Sequence, residues 1–170
     1  MKQLPLVLCA ALLVAGCAQS PFGRGGAADT AGIGAGATGI APGSASDPTS
    51  VAYFRQSVGD RVLFLVDQST LTPEGRAVLS AQAQWLQQNP QYAVTIEGHA
   101  DEQGTREYNL ALGARRAAAA QEYLVSQGVA AGRLNTVSYG KERPLEICSE
   151  EACYAQNRRA VTVLASGAGV

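Results

Sequence analysis

The sequence predicts an α/β two-layer sandwich, of the α+β kind, with helices packed on one face of a mixed sheet. Four segments have the apolar alternation or the β-branched and aromatic content of strands: 61–66, 93–98, 135–139 and 159–164. Helical patterns separate the first three segments, and such crossovers favour parallel pairing. The last connection is short enough for an antiparallel pair, so we expect the order β-α-β-α-β-β.

The first half of the folded part contains two helices and one strand. A short helix ends at Gly59, and the nearly continuous apolar run 61–66 predicts a central strand that ends at Asp67. Thr72 as an N-cap and Pro73 at the first helical position predict the next helix. The apolar face of this helix comprises Val78, Leu79, Trp85 and Leu86.

The junction between the second strand and the helix after it is the most informative stretch of the chain. Val94 and Ile96 alternate with polar residues, so this strand has one buried face. After Asp101, a glycine-containing turn leads to Thr105, which we expect to cap a helix that runs to Gly128. The last two strands, separated by a turn and a short helical segment, complete the domain.

Charged residues at this junction suggest a receptor for a zwitterion. Asp67 and Asp101 each follow a strand, and ligands of open α/β sheets lie beyond the carboxyl ends of strands. Asn109 and Arg116 are seven residues apart and share one helical face, although periodicity does not choose between Arg115 and Arg116. Carboxylates bind an ammonium and a guanidinium binds a carboxylate, so the pattern favours an amino-acid-like ligand.

Other function classes have weaker support. No Ser-x-x-Lys or Gly-x-Ser-x-Gly motif is present, and His99 is the only histidine. The alternative is a metal site formed by Glu97, His99 and Asp101. However, three ligands in line on one strand rarely converge on one ion. The net charge of -1 disfavours nucleic-acid binding. We therefore expect a binding protein without catalytic residues, metal or cofactor. Purely structural roles stay open for Asp101, as a cap, and for Arg116, as a solvated helix arginine.

The N-terminal part has the features of an export signal and a linker. Lys2 precedes an apolar run too short to span a bilayer, so we assign residues 1–16 to a signal peptide. The run Leu13-Val-Ala-Gly-Cys17 resembles the lipobox of bacterial lipoprotein precursors, in which the cysteine is lipidated. Residues 17–50 are rich in Gly, Ala, Ser, Thr and Pro, which predicts a disordered tether with a span of about 30 Å. The domain would then occupy 51–166, and 167–170 a short tail.

Cysteine use follows from this organisation. With Cys9 removed in the signal peptide and Cys17 lipidated, Cys148 and Cys153 remain. Export to an oxidising compartment favours a disulfide between them. A metal or redox role is disfavoured because the spacing is not Cys-x-x-Cys and no third ligand lies nearby.

Several segments together resemble the OmpA-like domain family and its peptidoglycan-associated lipoprotein branch: 94–105, 108–117, 137–142 and 157–161. The resemblance extends over about 59–164 and implies an OmpA-like domain that binds the diaminopimelate of an uncross-linked stem peptide. It implies that the pocket is formed by Asp67, Gln68, Asp101, Asn109, Leu112 and Arg116, with Val66 beside Asp67. The chain departs from the family pattern at Leu65, at Gln103 and in the loop from Cys148 to Cys153.

The resemblance also implies a cellular role. The protein would be an outer-membrane lipoprotein that faces the periplasm, belongs to the Tol-Pal system and binds TolB, with TolA as a second candidate partner. A wall anchor without a Tol role stays open as the alternative. We expect Asp101→Ala and Arg116→Ala to weaken peptidoglycan binding without disturbing the fold. Arg158 and Arg159 would pair with a buried acid or touch the glycan, and we favour the structural role.

Overall fold

The computed structural model describes residues 40–166. The predicted signal peptide, Cys17, the tether up to residue 39 and the tail 167–170 lie outside the described residues. The elements in chain order are α1 (Val51–Tyr53, continued by a π-helical turn Phe54–Gly59), β1 (Arg61–Leu63), α2 (Pro73–Gln88), β2 (Tyr92–His99), α3 (Arg106–Ser126), a 3-10 turn (Ala131–Arg133), β3 (Leu134–Gly140), α4 (Glu151–Asn157) and β4 (Arg159–Ser166).

The described residues form a four-stranded mixed sheet in the order β1-β4-β2-β3. β2 and β3 pair in parallel, as the helical crossover between them predicts. β4 is antiparallel to both of its neighbours. Because β4 lies between β1 and β2, the expected parallel pair of the first two strands does not form. The predicted fold class, a two-layer arrangement of helices on a mixed sheet, is confirmed.

The prediction of a long central strand at 61–66 is wrong. β1 contains three residues and forms the edge of the sheet. Val62 and Phe64 are each 3% exposed, whereas Leu65 and Val66 are 56% and 52% exposed. The strand ends at Leu63, so the alternation of buried and exposed side chains does not continue to Val66, and apolar composition alone does not indicate this.

One apolar core lies between the sheet and the helices. Leu79 and Leu86 from α2 and Leu124 from α3 are at most 1% exposed, as are Val94 and Ile96 from β2. These positions agree with the helical and strand periodicities. The core is completed by aromatic residues, including Phe54 and Trp85, whose ring centroids are 4.9 Å apart.

The two long helices begin where their capping residues predict. The hydroxyl of Thr72 accepts a hydrogen bond from the backbone N–H of Gly75, and that of Thr105 accepts one from Tyr108. β2 and α3 approach so closely that a Cβ atom on either Gly98 or Gly113 would overlap the opposite backbone. This contact fixes the start of α3 against the end of β2.

Residues 40–50, which the sequence assigns to the tether, contact the domain. The indole N–H of Trp85 donates to the carbonyl of Pro48 at 2.7 Å, and the Tyr92 hydroxyl donates to the carbonyl of Thr49 at 2.8 Å. Ser50 is 5% exposed and caps α1 through its side chain. Within residues 40–166, every helix is too short or too polar to cross a membrane.

Candidate functional site

A cleft of about 300 Å³ lies at the end of the sheet where β1 and β2 finish and α3 begins. The residues that line it come from three segments: Val66, Asp67, Asp101, Gln103, Gly104, Tyr108, Asn109 and Leu112. The structure therefore brings together four of the six residues expected at the site: Asp67, Asp101, Asn109 and Leu112. This placement at the carboxyl ends of strands and at a helix N-terminus is typical of ligand sites in α/β proteins.

Asp67 forms one wall of the cleft in an uncommon backbone conformation. Its φ angle of 58° lies in the left-handed region, which Asp and Asn tolerate better than most residues. The hydroxyl of Tyr108 on α3 donates a hydrogen bond to a carboxylate oxygen of Asp67. The contact links the segment after β1 to the first turn of α3 across the cleft.

Asp101 lies on the opposite wall and is 7% exposed. Its Oδ1 accepts a hydrogen bond from the backbone N–H of Gln103 at 3.2 Å, so it does stabilise the turn before α3. Its Oδ2 pairs with the guanidinium of Arg158 at 3.2 Å. Both carboxylate oxygens therefore have partners, and the buried acid expected for Arg158 is Asp101 itself.

Arg116 occupies a different position from the one that the helical pattern suggests. It is fully buried and donates to the carbonyls of Gln68 and His99 at 2.8 Å each and of Leu65 at 3.2 Å. Among residues 40–166 it makes no ion pair with Asp101, and it is not among the residues that line the cleft. The interpretation of a solvated helix arginine is therefore wrong, whereas a contact between Arg116 and a ligand carboxylate stays a prediction.

Electrostatics show that Arg116 nevertheless lies near the acids. Burial lowers the pKa of Arg116 to about 10, and the charges of Asp101 and Asp67 act in the opposite direction. The side chain remains cationic at neutral pH. Arg115, the other candidate of the pair, is exposed, and its guanidinium is 6.0 Å from the ring centroid of Tyr108.

Asn109 brings an unpaired acceptor to the cleft. It is 1% exposed, and its Nδ2 donates to the carbonyl of Gln103 at 2.8 Å. Within the described part of the chain, its Oδ1 has no hydrogen-bond partner. Leu112 supplies apolar lining one helical turn further on. Gln68 does not line the cleft, and its backbone carbonyl holds Arg116.

Sequence reasoning placed Val66 beside Asp67 but missed Tyr108 as part of the lining. The signal for Tyr108 was present, because it precedes Leu112 by four residues and so shares its helical face. Gln103 was noted only as a departure from the family pattern. Arg159 has a structural position, since it is 7% exposed and donates to the carbonyls of Asn157 and Arg143.

The geometry around His99 does not support the metal alternative. A register shift follows Gly98 in β2, and Asp101 turns toward Arg158 rather than toward His99. His99 Nε2 lies 3.7 Å from Glu97 Oε2, and across residues 40–166 no three His, Cys, Asp or Glu side chains cluster as a metal site would require. Burial, followed by the charges of Arg159 and Arg143, lowers the pKa of His99 to about 4, so the ring is neutral at pH 7.

The predicted disulfide between Cys148 and Cys153 is present, with their Cα atoms 6.0 Å apart. It closes the loop that leads into α4. Glu151 in this closed loop accepts a hydrogen bond from Arg158, the same guanidinium that pairs with Asp101. The loop is therefore connected to the cleft.

Comparison with known proteins agrees with this architecture. The model of the OmpA family matches residues 63–158. The peptidoglycan-associated lipoprotein of Mesorhizobium japonicum is 55% identical over 164 residues, which cover 96% of this chain and 92% of that protein. The protein of the same name from Pseudomonas aeruginosa is 44% identical over 144 residues, 85% of this chain and 82% of its own.

Solved structures lead to the same group. The crystal structure of the peptidoglycan-associated lipoprotein from Burkholderia pseudomallei has a TM-score of 0.63 and 39% identity, and the match covers 71% of this chain and 98% of that chain. The C-terminal domain of Helicobacter pylori MotB shares the fold alone, with a TM-score of 0.60 at 19% identity. This chain belongs to the OmpA family and, within it, to the peptidoglycan-associated lipoproteins.

Proposed function

We propose that this protein is an outer-membrane lipoprotein that binds peptidoglycan noncovalently through the diaminopimelate of a stem peptide, and so links the membrane to the cell wall. The observation that carries the proposal is the cleft at the start of α3, where Asp67 and Asp101 face one small volume. The names of its relatives support peptidoglycan as the ligand. The protein acts as a binding module rather than as an enzyme.

The acceptors of the cleft suit an ammonium group. Asp67 and Asp101 supply negative charge to the cleft, and the polar side chain of Asn109 lies beside them. An ammonium has three N–H donors and no acceptor, so a site with several converging oxygens matches it. The contact from Tyr108 leaves one oxygen of Asp67 free to accept a ligand donor.

The carboxylate of the ligand would be held from the helix side. The N-terminus of α3 favours an anion because its dipole is positive there, although Thr105 already caps the N–H of Tyr108. An arginine has five N–H donors, and three of those of Arg116 bind carbonyls. The remaining two are buried, so direct contact with a ligand requires a shift of segment 65–68, which carries two of the three carbonyls.

The N-terminal region supplies the anchor in this proposal. Lipidation of Cys17 would hold the protein to the outer membrane, since several acyl chains on one cysteine bind a bilayer stably. The part of the linker that precedes the residues in contact with the domain, 17–39, would then allow the domain to reach the wall from the membrane surface.

Peptidoglycan binding is tested by co-sedimentation with purified sacculi and free diaminopimelate as a competitor. Asp101→Ala is expected to weaken binding by about 2 to 5 kcal/mol because a ligand charge loses its partner in a partly desolvated site. Glu122→Ala, which changes an exposed acid on the far half of α3, is the matched control and should bind as the wild type does. Full binding by the Asp101 variant would contradict the proposal.

Membership in the Tol-Pal system is a separate part of the proposal. We expect the protein to bind TolB, with TolA as a second candidate partner, and we expect the TolB surface to overlap the cleft. Capture of TolB by the immobilised chain, reversed by an excess of soluble stem peptide, would support this. If sacculi bind and TolB does not, the protein is an OmpA-like wall anchor without a Tol role.

A further inference from the structure

We propose that the disulfide-closed loop Cys148–Cys153, together with Arg158, positions the acidic turn of the cleft and thereby sets its affinity. The term acidic turn is used here for residues 101–104. The inference rests on the proposed function for its ligand. It concerns a part of the chain that lies behind the cleft and lines none of it.

The first connection between the closed loop and the acidic turn is the buried guanidinium of Arg158. Arg158 is 4% exposed and donates to Asp101, to Glu151 in the closed loop and to the carbonyl of Phe64 beyond β1. Burial acts to lower the pKa of Arg158, but the hydrogen bonds to Glu151 and Asp101 outweigh it and raise the pKa. Because a buried charge is costly without partners, the guanidinium holds both acids in place.

A second connection joins the loop to Glu102, the neighbour of Asp101. The hydroxyls of Ser149 and Tyr154 both donate to Oε1 of Glu102, at 3.1 and 2.8 Å. Glu102 does not line the cleft, so its carboxylate binds the closed loop rather than a ligand. On the same side, the ammonium of Lys141 donates to the carbonyls of Glu102 and Gly104. The acidic turn is thus held from behind at Asp101, Glu102 and Gly104.

The side chains that make these loop contacts depend on the disulfide for their position. Ser149 and Glu151 lie between the two cysteines, and Tyr154 follows the second one. α4 has seven residues and no side-chain N-cap, and a helix of that length has little stability of its own. Hydrogen bonds between Asn157 and both Leu145 and Glu146 close the base of a wider loop, 145–157. The disulfide closes the segment Cys148–Cys153 at the tip of this wider loop. Without the disulfide, the tip loses its covalent constraint.

The test is the double variant Cys148→Ser, Cys153→Ser in the full chain, purified in detergent. Its Kd for a disaccharide tripeptide that ends in diaminopimelate is measured by calorimetry at a temperature where circular dichroism shows the variant folded. We expect affinity to fall about three- to tenfold. Amide hydrogen exchange of residues 101–104 in the free protein should become faster. A disulfide that only stabilises the fold would leave the affinity unchanged and would speed exchange throughout the domain, not specifically at residues 101–104.

Two further variants keep the disulfide and so retain the test if the serine variant fails to fold. Tyr154→Phe removes one contact to Glu102, and Glu151→Gln weakens one partner of Arg158. Each is expected to lower affinity about two- to threefold and to speed exchange of the acidic turn. Tyr123→Phe is the matched control, because its hydroxyl bonds Ser80 and makes no contact with the turn.

The outcomes separate the inference from the proposed function. If the wild type binds the muropeptide and all three variants bind equally well, the inference is overturned. If the wild type does not bind the muropeptide, the proposed function fails. The inference is then tested only by the amide hydrogen exchange of residues 101–104 in the variants. Exchange at 101–104 that is unchanged, or that speeds only as much as in the rest of the domain, would overturn it, and faster exchange specific to 101–104 would support it.

Discussion

Two buried regions of this protein are built on different principles. The core between α2, α3 and the sheet is apolar and contains residues such as Leu79, Leu86 and Ile96, each at most 1% exposed. The region behind the cleft is equally buried, but it contains Arg116, which is 0% exposed, and Arg158, which is 4% exposed. The first region is held by packing of apolar surface. The second is held by charged groups that each bind several specific oxygens.

This difference has a consequence for function. A side chain removed from the apolar core changes stability alone, because none of the core side chains named above lines the cleft. A side chain removed from the polar region changes both stability and ligand binding, because the same guanidinium groups that stabilise the fold also hold Asp67 and Asp101 in place. Substitutions in each region should therefore separate loss of stability from loss of binding.

Replacement of Arg116 should have the largest effect. Arg116→Ala leaves three backbone carbonyls without their donor, and we expect a loss of about 3 to 5 kcal/mol in the free energy of unfolding, with loss of sacculus binding. Urea denaturation measures the stability, and co-sedimentation measures the binding. This replaces the sequence-based expectation that the fold stays intact. Arg115→Ala, at the exposed neighbour, should stay within about 0.5 kcal/mol of the wild type.

Leu86→Ala tests the apolar region. It creates a cavity at a fully buried position, and we expect about 2 to 4 kcal/mol of destabilisation by urea unfolding. At a temperature where the variant is folded, the affinity for soluble stem peptide should be unchanged. Val125→Ala, at a position 40% exposed, is the control for a lost apolar side chain on the surface. A Leu86 variant with weaker ligand binding would contradict the separation of the two regions.

Asp101→Asn should show a smaller, mixed effect. Asparagine can still accept the hydrogen bond from Gln103, but the charge that pairs with Arg158 is lost. Because Glu151 still contacts Arg158, we expect about 1 to 3 kcal/mol of destabilisation, together with weaker stem-peptide binding. Thermal unfolding and calorimetry provide the two measurements, with Glu122→Gln as the control. Equal binding by variant and wild type would show that Asp101 acts in the fold alone.

His99→Phe should have the smallest effect and should appear only in acid. The folded pKa of His99, about 4, lies below its ordinary value of 6.5, so its contribution to stability is complete above pH 6.5 and is lost as pH falls through 4. Phenylalanine can keep the ring contact with Tyr139. Between neutral pH and about pH 4.5, the variant should lose roughly 1 to 2 kcal/mol less than the wild type. Parallel urea titrations would show this, and identical pH profiles would contradict it.

Much of the fold could be predicted because its signals are local. Thr72 and Thr105 cap their helices as their sequence positions indicate, since a cap depends on residues within one turn. Val94 and Ile96 are buried as the alternation in β2 requires. The disulfide between Cys148 and Cys153 followed from their closeness in sequence and from the predicted export.

What local sequence could not provide was the choice among distant partners. The position of β4 between β1 and β2 depends on pairing across the whole domain, so the edge location of β1 was missed. The sequence predicted that Asp101 and Arg116 lie at the same end of the sheet. It did not indicate that Arg116 binds backbone carbonyls or that Asp101 pairs with Arg158. Periodicity specifies which face a side chain occupies, whereas the partner of a buried charge depends on which oxygens the folded chain brings within hydrogen-bond distance.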